Sequence, residues 1–122
     1  DRLEEIFKLR EEFMDSLREK IPGSSPDLPL DLANKEHQQA CRDMALRGVE
    51  EMFEAVQHLK NWKPHRLTEV TEFNHEEFLE EIVDAFNYFF SLVIMTGYTA
   101  DDLFEAYVRK DRKIHKRLDE GY

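Results

Sequence analysis

Two pairs of acidic residues stand three positions apart in this chain, Glu51 with Glu54 in "VEEMFEAVQH" and Glu81 with Asp84 in "EEFLEEIVDAFNYFF". On a helix, residues three apart lie on successive turns of one face, so each pair can aim two carboxylates at a single point. Glu77 and Glu80 extend the second acidic line. Like charges at this spacing repel, each pair costing a few tenths of a kcal/mol, so something must compensate. Water around a solvated acidic face is one compensation and a divalent cation is another. If the two segments are antiparallel neighbours, four carboxylates converge. Hard oxygen ligands of this kind suit Mg²⁺ or Mn²⁺ and leave coordination positions for water and phosphate oxygens. Spacing alone leaves both readings open.

Other metal chemistries fit less well. A ferritin-like di-iron site needs Glu-x-x-His on two helices. Here His58 follows Glu54 by four residues, and the second acidic segment has no histidine after His75. Cys41 has His37 one turn before it but no further ligands for zinc.

The elements that must position the acids are predicted to be helices throughout. Leu3, Ile6, Phe7, Phe13 and Leu17 recur near helical spacing, which predicts a first helix over about 2–20. It ends at "IPGSSPDLPLD", which holds three of the four prolines. Ala40, Met44, Leu46, Val49, Met52, Phe53, Val56 and Leu59 predict a second helix over about 33–61, with Gly48 as a cost in its middle. Pro64 breaks the pattern. Asn74, with Glu77 three positions on, resembles a capping box opening a third helix at about 75–96, closed by Gly97. Thr99 then caps a fourth over about 100–118, with Asp101 and Asp102 in its first turn. Phe78, Leu79, Ile82, Val83, Phe86, Phe89, Phe90 and Val93 give the third helix an apolar face wide enough to need partners on more than one side. The expected fold is a single all-α domain over 1–122, a four-helix bundle-like arrangement without repeats or coiled-coil heptads.

Charge narrows the partners. The 17 Lys and Arg against 27 Asp and Glu give a net charge of −10, which repels polymeric nucleic acid and an anionic membrane. A small anion such as a nucleotide is compatible if bound cations and a few local basic side chains reverse the sign at the site. The single cysteine fits a reducing compartment, and no apolar run is long enough to span a bilayer. A soluble cytoplasmic protein is the expectation.

The order of features around the acids is more specific. "HLKNWKPH" follows the first pair, "AFNYFFSLVIMTGYTADDLFEAYVRK" runs on from the second, and the chain closes on "KDRKIHKRLDEGY". This succession resembles the dimeric dUTPase branch of the all-α nucleoside triphosphate pyrophosphatase superfamily, which also includes MazG-like proteins, closely over about 40–122 and loosely over 2–20. The resemblance implies that Glu51, Glu54, Glu81 and Asp84 hold Mg²⁺ on a triphosphate. The family's Lys-x-Trp-Lys matches Lys60, Trp62 and Lys63, and Asn87 matches a position near the sugar or base. Tyr107, Lys110, Arg117, Gly121 and Tyr122 match the family's tail. Lys110 and Arg117 would be phosphate ligands, and their separation of two helical turns lets both reach one polyphosphate. A basic helix end complementing the dipole also accounts for them.

The implied activity is Mg²⁺-dependent release of a nucleoside monophosphate and pyrophosphate, with Glu51 as the acid chosen to act as base. Trp62 is expected over the base or in the core, the core being favoured. Three positions depart from the pattern. Ile114 stands where the family has Asn, while Arg10 and Met14 stand where a Gln and an Asn read uracil. The preferred base is therefore open between uracil, cytosine and a broader choice. A homodimer or homotetramer is expected, because nine Phe and four Tyr exceed what one small core can bury. The rival account is a non-catalytic helical interaction module with its acids in water.

Overall fold

The computed structural model describes residues 1–121. It contains four α-helices, α1 (Arg2–Lys20), α2 (Lys35–Val56), α3 (His75–Met95) and α4 (Ala100–Glu120), and no strand among the described residues. The expected all-α fold is the observed one. None of the described helices is long and apolar enough to cross a membrane.

Each helix starts where a side chain satisfies its free N–H groups. Asp1, Asn34, Asn74 and Thr99 accept from the backbone N–H three residues on, and Asp102 returns the bond to Thr99 N–H to complete a capping box. The α2 helix is shorter than predicted, ending at Val56 rather than near residue 61. His58 N–H and Leu59 N–H turn back to carbonyls only three residues earlier, so the helix tightens and stops. Pro64, a few residues on, prevents its resumption by disfavouring helical backbone at Lys63.

α3 is the centre of the molecule. It packs along α2 and, more sparingly, against α1, which in turn contacts α4. Gly48 lies against Phe89, Glu51 near Asp84, and His58 near Glu81, so α2 and α3 run antiparallel. Phe7 is buried and meets the Phe90 ring at 5.5 Å, which seats α1 on the second side of α3. The broad apolar face of α3 does have partners on two sides, yet Leu79, Val83 and Phe86 remain exposed.

Small residues set the α2–α3 approach. Gly48, Ala55 and Ala85 are all buried, Ala85 completely at 0% exposure. A Cβ on Gly48 would stand 2.5 Å from Phe89 Cε1, closer than any real contact. The mid-helix glycine is thus the condition for close packing next to the acids. Gly48→Ala should lower stability by about 1–3 kcal/mol through overpacking, despite alanine's helix propensity of about 1 kcal/mol over glycine. Urea unfolding checks this; a stabilised variant would mean that Phe89 swings aside freely.

The connection before α2 is held by its own hydrogen bonds. Leu30 N–H donates to Met95 O at 2.7 Å, and Asp31 N–H donates to His37 Nδ1 at 2.8 Å. His37 is therefore a structural acceptor, in keeping with the weak zinc case. Gly97 turns the chain between α3 and α4 at φ +88°, a conformation that favours glycine.

A candidate metal centre between antiparallel helices

The antiparallel pairing of α2 and α3 brings Glu51, Glu81 and Asp84 together, with one carboxylate oxygen from each within 4.8 Å of the others. Glu81 and Asp84 come from successive turns of α3, as their spacing predicts. Glu54 does not belong to this closest group. It is exposed, stands one helical turn from Glu51 on α2, and lines a hollow of about 310 Å³ with Gln57, His58, Lys60 and Glu81.

The electrostatics of the cluster are those of acids crowded together. Partial burial pushes the Glu51 carboxyl above the usual carboxylate range; the hydrogen bond with Glu54 and the charges of Glu54, Asp84 and Glu81 act in the same direction. Glu81 Oε2 is buried and has no hydrogen-bond partner, although a desolvated carboxylate oxygen ordinarily needs one. A hard divalent cation fits this donor set: it would satisfy the orphaned oxygen and offset the mutual repulsion of the carboxylates.

His58 is a neighbour that sequence reasoning missed. Its Nε2 stands 3.9 Å from Glu81 Oε1, placed there by the tight turn that ends α2. The Glu54-to-His58 spacing of one helical turn was the available signal, but only against a di-iron pattern that it failed to match.

The remaining expected site residues fall into two groups. Asn87 is half-buried on α3, one turn beyond Asp84. Lys60, Trp62 and Lys63 follow α2; Lys60 lines the hollow shared by Glu54 and Glu81, Lys63 Nζ lies 5.8 Å from the Trp62 ring centre, and His58, Lys60, Trp62 and Phe73 border a second hollow of about 510 Å³. Trp62 is 68% exposed, so its expected place in the core is not the observed one. The cause is the early end of α2, which leaves Trp62 on an extended surface segment. Tyr107, Lys110 and Arg117 lie exposed on α4, and no ion pair joins either cation to the four acids among the described residues. Gly121 ends α4, and Tyr122 lies outside the described residues.

Acids from two neighbouring helices, converging beside Lys60, make an arrangement able to bind a metal–polyphosphate. A family model described as dUTPase matches residues 5–122. The chain belongs to the dUTPase family. No curated protein and no solved structure gives a significant match. The dUTPase match takes in α1 as well as the segments that carry the acids and lysines, so the loosely resembling first helix belongs to the same family unit. Membership makes the chain a dUTPase-like, nucleotide-directed protein.

Proposed function

We propose that this protein is a Mg²⁺-dependent nucleoside triphosphate pyrophosphohydrolase that cleaves between the α and β phosphates. The observation that carries this reading is the convergence of Glu51, Glu81 and Asp84 around a buried, unpartnered Glu81 oxygen. Membership of the dUTPase family supports the substrate class. Glu51, Glu54, Glu81 and Asp84 would hold Mg²⁺, with Mn²⁺ as an alternative. When bound, such a cation neutralises phosphate charge and lowers the pKa of a coordinated water.

The chain's own groups supply the rest. Glu51 accepts the proton of the attacking water as its oxygen bonds to the α-phosphorus and the bond to the β-phosphate oxygen breaks. Lys60, beside Glu54 and Glu81, and Lys63 after it would meet the leaving pyrophosphate, while Asn87 would contact the sugar or base. Trp62 borders the site as an exposed aromatic surface for the substrate. Lys110, Arg117 and Tyr107 complete the phosphate contacts on assembly of a homodimer or homotetramer, and the exposed α4 leaves them free to do so.

Assembly is supported by exposed apolar side chains on all four helices, among them Phe13, Phe53, Leu79 and Phe104. Light scattering should give at least twice the 14.6 kDa chain mass; a monomer at assay concentration would remove this part of the proposal. A lone cysteine is consistent with a cytoplasmic setting. The activity itself is tested by pyrophosphate release from a panel of deoxynucleoside and nucleoside triphosphates with Mg²⁺. No release from any of them, and no stabilisation by Mg²⁺ with nucleotide, would return the acids to a solvated face and favour the interaction module.

A further inference from the structure

One imidazole stands against the acids without a part in the reaction above. His58 follows the end of α2, and its Nε2 lies 3.9 Å from Glu81 Oε1. Among the described residues no other cationic side chain forms an ion pair with Glu51, Glu54, Glu81 or Asp84. His58 also borders both hollows beside the cluster, the one of about 310 Å³ that Glu54 and Glu81 line and the one of about 510 Å³ that Trp62 and Phe73 line.

The imidazole is held in place by its surroundings. The His58 backbone N–H donates to Ala55 O at 3.1 Å as the chain tightens at the end of α2. Its ring meets Phe78 edge-on, with centroids 6.3 Å apart and planes at 68°, and Phe78 is braced in turn by Phe73 at 5.3 Å. Phe78 and Glu81 stand three apart on α3, so the ring that orients His58 and the carboxylate that His58 faces are neighbours on one helix face. Only 26% and 29% of the His58 and Glu81 side chains are exposed. The contact is therefore more than a solvated surface pair, which contributes almost nothing.

The two oxygens of Glu81 differ. Oε1 faces His58, whereas Oε2 is buried and has no hydrogen-bond partner. His58 lies outside the group in which Glu51, Glu81 and Asp84 bring their oxygens within 4.8 Å of one another, and a hard cation prefers oxygen to imidazole. The imidazole thus acts through Glu81. A shift of about 1 Å brings Nε2 and Oε1 into hydrogen-bond range, and with a proton on Nε2 the ring donates whether neutral or charged. Carboxylates that ligate metals are ordinarily fixed by such a hydrogen bond. We propose that His58 is a positioning residue of the metal centre: it holds Glu81 by Oε1 and so presents Oε2 to the cation. This inference rests on the metal-dependent reading above.

The test is Mn²⁺ binding to the protein without nucleotide, read from the loss of the free-ion EPR signal, for the wild type, His58→Phe and His58→Gln. Phenylalanine keeps a ring against Phe78 but has no N–H, while glutamine places an amide N–H near the position of Nε2. His58→Phe should bind Mn²⁺ roughly 10–100-fold more weakly, the range for losing the outer partner of a metal ligand, and His58→Gln should recover most of that loss. Thermal melts without metal show that each variant is folded, and His58→Ala replaces His58→Phe if the latter is not. A ring needed only for packing gives the reverse order, with His58→Phe like the wild type and His58→Gln weakened; that overturns the assignment and leaves the cation site standing. Equal weakening in both variants, or no weakening in either, also overturns it. A wild type that binds no Mn²⁺ overturns it too, and the pyrophosphate assay then decides separately whether the hydrolase reading falls with it.

Discussion

Glu51→Gln is expected to cut pyrophosphate release by at least about 100-fold while raising the melting temperature of the metal-free protein. Both effects come from one position. Glu51 sits where its own charge is opposed by partial burial and by Glu54, Asp84 and Glu81. Amidation removes several like-charge contacts, each worth a few tenths of a kcal/mol, so the melting temperature should rise by roughly 2–5 °C. The sign of the pH dependence follows from the raised pKa. The folded state holds the Glu51 proton more tightly than the unfolded chain does, so this group favours folding while it is protonated. That contribution is lost as pH rises through the folded-state pKa. Metal-free wild type should therefore lose stability relative to Glu51→Gln as the pH moves from acid toward neutral. Added Mg²⁺ should reverse the order at neutral pH, because the cation stabilises the wild-type cluster and finds one ligand fewer in the variant. Turnover should fall by at least about 100-fold, since losing even an outer partner of a metal ligand costs about 10–100-fold. Thermal melts with and without Mg²⁺, alongside a pyrophosphate assay, measure all three effects. A variant less stable than the wild type without metal would show that Glu51 is satisfied by the protein alone.

The parts of this arrangement that repeat at helical spacing are legible in the chain. Glu81 with Asp84, and the apolar series from Phe78 to Val93, announce a helix with an acidic line because both periods are local. The caps at Asn74 and Thr99 are legible for the same reason: side chain and backbone partner are three residues apart. Contacts between distant segments carry no such period. Arg10 and Ser91 are 81 residues apart, and neither type of residue in its own helix points to the other. The crossing of α2 and α3 brings Glu51, Glu81 and Asp84 closest together and leaves Glu54 one turn away on α2, an ordering within the four acids that spacing does not give. The end of α2 was missed because Leu59 continues the apolar rhythm beyond the last helical residue, Val56. Trp62, expected over the base or, preferably, in the core, is instead left at the surface by the extended segment after α2. Gly48 was read as a cost to α2; only its approach to Phe89 shows what the cost obtains.

Glu81→Ala and Asp84→Ala should each lose Mg²⁺-dependent turnover by at least about 100-fold, yet differ in what they do to the protein without metal. Glu81 is half-buried, with one oxygen sealed off and unpartnered and the other 3.9 Å from His58. Removing it takes away an unsatisfied buried atom, a group whose desolvation costs about 1–3 kcal/mol, and leaves space between α2 and α3. The two changes oppose each other, so the metal-free stability should move little. Asp84 is exposed, and its loss removes like-charge repulsion without opening a cavity, so the metal-free protein should gain slightly. The metal response separates a site from a solvated face. Wild type should be stabilised by Mg²⁺ together with a nucleoside triphosphate, as any ligand bound to the folded state alone requires, and both variants should lose that gain. A solvated face predicts instead that neither substitution changes any response to metal. Should turnover survive in one variant only, the cation would rest on the other α3 acid and Glu51, and the paired spacing of Glu81 and Asp84 would reflect helix geometry without a shared ligand.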